Sequence, residues 1–233
     1  MSDIILEKIK IWELHDDPTI PLQLYDERVS DLRNIDIPYI PEGVRIFSCN
    51  ALSLEKLPLL PNSLRQLHCV DCDLKELPEL PTNLQVLNCD SNFNLRHLPT
   101  LPTSLKVLSC NYTRVQLEGL PENLEYLSFY ETHADCMPLL PRSLKILLCG
   151  YNNISCIDSL PENLEYLDCM SNNIRELPTL PSSLKELVCV FNDIAHAQLP
   201  LTIPYICANS IQMDPPSIPY FRVWLDAALK TYS

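Results

Sequence analysis

Glycine is almost missing from this chain, three residues in 233, and that scarcity removes one class of function at the outset. A phosphate-cradling loop needs several glycines together so that backbone N–H groups can reach the ligand, and Gly43, Gly119 and Gly150 stand far apart. Positive charge is also short: 17 Lys and Arg against 30 Asp and Glu leave a formal charge of −13. A surface of that sign repels nucleic acid and anionic membranes overall, so neither is expected as a partner. No stretch approaches the uncharged apolar length of a membrane span. The N-terminal MSDIILEKIKIWEL lacks a basic start, an unbroken apolar stretch and a small-residue cleavage site, so it does not read as a signal peptide. With 11 cysteines, an odd number, and no such signal, reduced thiols in a cytoplasmic setting are expected rather than a disulfide framework.

What is present is apolar and periodic. Hydrophobic residues make up 46% of the chain, enough for a buried core and too many for a disordered one. Proline is abundant, with 21 residues, and it recurs in a Leu-Pro dipeptide at Leu60-Pro61, Leu80-Pro81, Leu101-Pro102, Leu120-Pro121, Leu140-Pro141, Leu160-Pro161 and Leu180-Pro181. The steps are 20, 21, 19, 20, 20 and 20; Ile40-Pro41 and Leu199-Pro200 extend the series at either end. The long step absorbs an extra residue near Phe93, and the short step after it loses one near Leu117. A fixed period of this length marks a solenoid. Aligned on the dipeptide, the unit reads LPxxLxxLxCxxNxLxxLPx, as in LPENLEYLDCMSNNIRELPT. It contains LxxLxLxxN, the leucine-rich-repeat signature, with Cys in place of the third apolar residue.

In Leu64, Leu67 and Cys69, or Leu164, Leu167 and Cys169, the alternation LxC predicts a short strand with Leu and Cys inward and the residue between them outward. One unit cannot bury that face alone, so the strands must stack into a parallel sheet about 4.8 Å apart. Asn92, Asn152, Asn172 and Asn192 follow the strand, where an inward amide can bond the backbone of its own coil and the next. Cys72, Thr113 and Thr132 stand in at other units. The returning segment carries prolines three apart, as at Pro58 and Pro61 or Pro178 and Pro181, which favours an extended polyproline-like convex side with few helices.

Twenty-residue LPxLPxxLxxLxCxxN units resemble the repeats of YopM- and IpaH-like bacterial effectors, and are similar to repeat proteins of large DNA viruses. The resemblance covers about three quarters of the chain, and implies a repeat array that binds a protein partner, with a host-directed effector or viral role. IpaH-like members add a C-terminal ubiquitin-ligase domain. Only about 20 residues follow the last repeat here, so that activity does not carry over. The fold expected is a leucine-rich-repeat solenoid: an N-terminal cap over residues 1–37, repeats over 38–212, and a C-terminal capping helix over 213–233, where Phe221, Trp224, Leu225 and Leu229 stand at helical spacing. At the N-terminus, Ile5, Ile9 and Trp12 suit a helical face, while Ile9 and Ile11 alternate as in a strand.

The repeat absorbs most of the residues that suggest chemistry. Cys69 and Cys72 form a CxxC, but one belongs to the core column and the other to the Asn column, and no second CxxC supplies further zinc ligands. Cys49, Cys69, Cys89, Cys110, Cys149, Cys169 and Cys189 share one core slot, taken by Phe129 in the unit without Cys, so the slot asks for apolar bulk. The five histidines fall in different repeat positions. No metal, no cofactor and no enzymatic activity are expected. The informative positions are those the fold leaves free, outward on the strands and lining the concave face. There Tyr112, Tyr126, Tyr130, Ile146, Leu148, Tyr151, Tyr166, Met170, Val190 and Phe191 form an aromatic and apolar set of the kind enriched at protein interfaces. Propensity for strands explains the β-branched members; it explains the clustered tyrosines less well. These ten are the candidate partner-binding residues of a protein-interaction scaffold, more readily a monomer than an oligomer, whose partner is neutral or basic where it docks. A self-assembling component of a larger complex is the alternative.

Overall fold

Each coil begins at Pro-x-x-Leu. The proline carbonyl accepts the leucine N–H three residues on, as in Leu64 to Pro61 at 3.1 Å and Leu184 to Pro181 at 3.0 Å. This turn uses the carbonyl that the ring leaves available and does not need the N–H that proline lacks. A strand follows at once. The structure, a computed structural model, describes residues 2–15, 17–24, 36–54, 56–194, 203 and 205–207. It has one helix among them, α1 (Ser2–Glu13), and the strands β1 (Leu22–Gln23), β2 (Ile46–Ser48), β3 (Gln66–His68), β4 (Val86–Asn88), β5 (Val107–Ser109), β6 (Tyr126–Ser128), β7 (Ile146–Leu148), β8 (Tyr166–Asp168), β9 (Glu186–Val188) and β10 (Tyr205–Cys207). All pair in parallel and in chain order, β1 to β10. The leucine-rich-repeat solenoid expected from the period is the fold observed, and the returning segments between residues 56 and 194 carry no helix.

Register keeps like residues stacked. Phe47, Leu67, Leu87, Leu108, Leu127, Leu147, Leu167 and Leu187 are successive partners across the sheet, and all are fully buried. The Cys column lies beneath them with Phe129 in its expected place, and Leu64, Leu74, Ile154 and Ile174 close the core from the turn and the returning side. Each such side chain contributes about 1.5–3 kcal/mol by leaving water. It does so only because the next coil covers it.

The asparagines tie the coils together, and they reach backwards. Asn152 Nδ2 donates to Cys149 O of its own coil at 3.1 Å and to Phe129 O of the preceding coil at 2.9 Å, while its Oδ1 accepts from Thr132 N and Ala134 N, both 3.0 Å away. Asn92 repeats the pattern on Cys69 O, Cys89 O, Cys72 N and Leu74 N, and Asn172 and Asn192 do likewise. The preceding coil, rather than the following one, receives the bonds, because the strand ends before the amide and its carbonyls turn inward there. A second staple was not anticipated: the residue before the turn leucine is Ser or Asn in every unit from Ser63 to Ser183. Ser63 Oγ donates to Val44 O at 2.8 Å, Ser183 Oγ to Leu164 O at 2.7 Å, and Asn163 Nδ2 to Arg142 O at 3.1 Å.

At the N-terminus the helical reading holds. Ile5, Ile9 and Trp12 are buried, whereas Ile4 and Ile11 are exposed, and Trp12 Nε1 donates to Ile20 O at 2.8 Å. Within the segment expected as a cap, β1 pairs with β2, so the cap supplies a rung of the sheet as well as a lid. The anticipated C-terminal capping helix lies outside the described residues.

Replacing Asn92 by Ala orphans inward backbone groups on two coils, each costing about 1–3 kcal/mol when left unpaired. A drop of at least about 2 kcal/mol in unfolding free energy is expected by urea titration, while Asn94→Ala, at an exposed site, changes it by less than about 0.5 kcal/mol.

Candidate functional site

A three-residue strand sends its first and third residues outward, and the pattern continues for one more alternate residue before the chain turns. The outward face therefore carries parallel columns. One contains Val86, Val107, Tyr126, Ile146, Tyr166 and Glu186, the next Leu148, Asp168 and Val188, and the third Tyr130, Gly150, Met170 and Val190. All ten candidate residues lie on this face or on the turn that borders it.

They do not all present area to a partner. Val86, Val107, Tyr126 and Ile146 pack side by side as a second apolar cluster, flanked by Leu148 and Tyr166. Tyr126 is 2% exposed and Ile146 6%, which corrects the expectation that they stand open. Four neighbouring coils place apolar residues at one register, and stacked at sheet spacing these cover one another. Leu148, Tyr130, Tyr166, Met170 and Val190 are half-buried, and Tyr112, Tyr151 and Phe191 are exposed.

These last three share a backbone peculiarity. The residue that turns the chain off the sheet has positive φ in coil after coil: Ala51, Asp71, Ser91, Tyr112, Glu131, Tyr151, Ser171 and Phe191. Glycine or asparagine adopts that region most readily. Here it holds aromatic side chains at φ 55° (Tyr112), 54° (Tyr151) and 57° (Phe191), at a cost of about 1 kcal/mol or more each. Column position flagged them in the sequence; the strain could not be read there.

Gly150 is the glycine whose missing side chain makes room for a neighbouring ring. A Cβ there would collide with the ring of Tyr130, meeting Cε2 and, at 2.9 Å, Cζ, and would stand 3.0 Å from Met170 Cγ. The Tyr130 ring thus lies across its own neighbouring coil and meets Tyr151 at a centroid distance of 5.1 Å and a tilt of 41°, a favourable offset geometry.

Two carboxylates on this face are treated differently. Asp90 accepts from Ser109 Oγ at 2.8 Å, from Asn111 N at 2.7 Å and from Asn111 Nδ2 at 3.2 Å, and Asn111 Oδ1 passes the ladder on to Ser128 Oγ and Tyr130 N. Asp168 sits in register between Leu148 and Val188 and accepts from Met170 N at 3.0 Å. Burial pushes its carboxyl up to about 6, opposed by the Met170 N–H and assisted by the charge of Glu186; burial raises Glu186 too. Tyr130 is raised by burial and by the nearby Asp168. No basic side chain among the described residues pairs with Asp168 or Glu186, whereas Glu125 pairs with Lys106 and Lys145, and Glu165 with Lys185.

Elsewhere the chemistry is quiet. Burial pushes the thiols of Cys69, Cys89, Cys149 and Cys169 well up, which keeps them protonated and unreactive. No group of three or more His, Cys, Asp or Glu among the described residues is arranged to hold a metal. On the returning side a cleft of about 700 Å³ opens between residues 114–118 and 132–138, lined by Val115, Leu117, Phe129, Ala134 and Met137. Sequence reasoning missed it, although the signal is there: Ala134 occupies a column otherwise held by Leu, Ile or Val. Thr132 also lacks an amide's reach, and its hydroxyl donates to Phe129 O of its own coil.

A parallel sheet of short rungs, a returning side without helices and a twenty-residue leucine-proline period define a leucine-rich-repeat protein. Among solved structures, the chain is similar to YopM from Yersinia enterocolitica WA-314, with 28% identity over 88% of this chain and a TM-score of 0.64. It spans half the length of that protein. It also aligns with a Shigella effector leucine-rich-repeat domain (20% identity, 97% of this chain and 83% of that one, TM-score 0.42), and with YopM from Yersinia pestis (18%, 90% and 100%, 0.38). No protein-family model and no curated protein sequence matches it.

Two outcomes test this geometry. A buried acid whose carboxyl titrates near 6 when folded and near 3.8 when unfolded withdraws stability as pH rises between those values, by about 3 kcal/mol in all. Asp168→Asn should therefore match the wild type at about pH 3.5 and exceed it by about 2–3 kcal/mol at pH 7, by urea titration across pH. Gly150→Ala should swing the Tyr130 ring off Tyr151, seen as shifts in the ring resonances of both, for a stability loss of about 1 kcal/mol.

Proposed function

We propose that this chain is a non-enzymatic protein-interaction scaffold that holds a protein partner on the outward, concave face of its sheet. Tyr112, Tyr151 and Phe191 are the anchors, and Leu148, Tyr130, Tyr166, Met170 and Val190 form the half-buried floor. Tyr126 and Ile146 act from beneath, supporting Tyr166 and Leu148. The observation that carries this reading is the set of exposed aromatic side chains on a left-handed turn. Core packing does not ask for them there, and backbone conformation disfavours them. The coils between use Glu131 and Ser171 at the same position, so the anchors recur on alternate coils and are spaced about 10 Å apart. A flat partner surface can meet them together.

The resemblance of the repeats to those of bacterial effectors, with the similarity to YopM from Yersinia enterocolitica WA-314, supports a host-directed role. A reducing, cytoplasmic setting agrees with a cysteine column that serves as core packing, and no helix among the described residues is long and apolar enough to cross a membrane. The scaffold works as a monomer. Size-exclusion chromatography with light scattering should give a concentration-independent monomer mass, and concentration-dependent oligomers would favour the self-assembling alternative.

The central test is the triple substitution Tyr112→Ser, Tyr151→Ser and Phe191→Ser, compared with wild type in affinity capture from candidate host extract and quantified by mass spectrometry. Loss of the captured protein is expected with an unchanged or slightly raised melting temperature, since serine is tolerated at this position in Ser91 and Ser171. Capture that survives all three changes would sink the assignment of this face.

A further inference from the structure

We propose that the patch formed by Tyr130, Tyr166, Asp168 and Glu186 on the outward sheet face receives a cationic side chain, arginine above all, from the protein partner. The inference rests on the scaffold reading and gives that face a chemistry.

Four observations converge. Asp168 lies between Leu148 on one rung and Val188 on the next, so neither lateral neighbour can donate a hydrogen bond to it. Among the described residues its one hydrogen bond comes from Met170 N, whereas Asp90, on the same face, is met by a hydroxyl, a backbone N–H and a side-chain amide. Glu186 stands on β9 beside Tyr166 and adds a second carboxylate close enough for Asp168 to feel its charge. Neither has a cation among the described residues, although Lys185, next to Glu186 in the chain, pairs with Glu165 at 2.5 Å.

The surroundings fit a guanidinium. Tyr130, brought over Gly150, packs against Tyr151 at a centroid distance of 5.1 Å and feels the charge of Asp168. A planar cation can lie on a tyrosine face while its N–H groups reach a carboxylate. A bidentate contact with Asp168 supplies the donors that Leu148 and Val188 cannot. With a net charge of −13, the chain also draws a basic segment towards it.

The test uses the whole chain, isotope-labelled, with two probes of nearly equal shape: Nα-acetyl-arginine amide, and the citrulline counterpart, which has no charge. The expected result is a set of saturable NMR shifts centred on residues 130, 166, 168, 170 and 186 with the arginine probe and absent with citrulline. Those shifts should be lost in the Asp168→Asn, Glu186→Gln variant, which keeps an acceptor for Met170 N. Equal shifts with citrulline, shifts scattered over the acidic surface, shifts that survive in the variant, or none at all would each overturn the proposal. Failure here with capture still lost in the Tyr112, Tyr151 and Phe191 variant would leave the face as the docking surface but with other chemistry. Failure of both would remove the face itself.

Discussion

Where the coils of Asn92, Asn152, Asn172 and Asn192 leave the sheet, the carbonyl at the end of the strand turns inward, away from water, and the buried asparagine amide meets it. The same amide takes the carbonyl of the coil before and returns an acceptor to that coil's N–H groups. Without it, the sheet would end in a row of unpaired buried groups, each costing about 1–3 kcal/mol, and the leucine column would have no fixed path by which to return. The rest of the fold is arranged around that constraint. Prolines keep the returning segment extended, serines staple the turn to the preceding coil, and leucine and cysteine fill what remains. Since each of these asparagines also reaches one coil back, stability accumulates along the array and is held by no single coil.

Much of this was legible because a solenoid writes its contacts into a period. Leu67, Cys69 and Asn92 could be placed from spacing alone, since their neighbours are the same residues one coil away. The less legible parts were those where the neighbour differs. The direction of the asparagine bonds depends on where the strand stops, and the serine staple at Ser63 or Ser183 looked like ordinary turn polarity. The N-terminal helix could not be separated from a strand because Ile9 serves both patterns; Trp12, bonded to Ile20 O, decided it through a contact that no periodicity encodes.

On the outward face, spacing placed the columns correctly and misjudged the accessibility of two residues. Tyr126 and Ile146 point away from the core, yet lateral neighbours at the same register enclose them. Burial in a sheet has two directions, and alternation reports only one of them. What the sequence could not reveal at all was energetic. Aromatic residues on a left-handed turn and an acid wedged between Leu148 and Val188 both work against stability. Local departures from the rule that sequence suits structure tend to sit at functional sites, and here they gather on one face.

The junction between the coils ending at Thr113 and Thr132 departs from the rule in another way. Its threonines do not reach back one coil as the asparagines do: Thr113 Oγ1 donates to Cys110 O of its own coil, and Thr132 Oγ1 meets Phe129 O of its own coil and Asn152 Oδ1 of the following one. Ala134 is too small to fill its column, and the cleft behind Phe129 opens there while the strands in front stay paired. The array is therefore filled less completely behind this junction than elsewhere, although Asn111 still ties its front through Ser128 and Tyr130, and Tyr112 lies on one side of the gap while Tyr151 and Phe191 lie on the other.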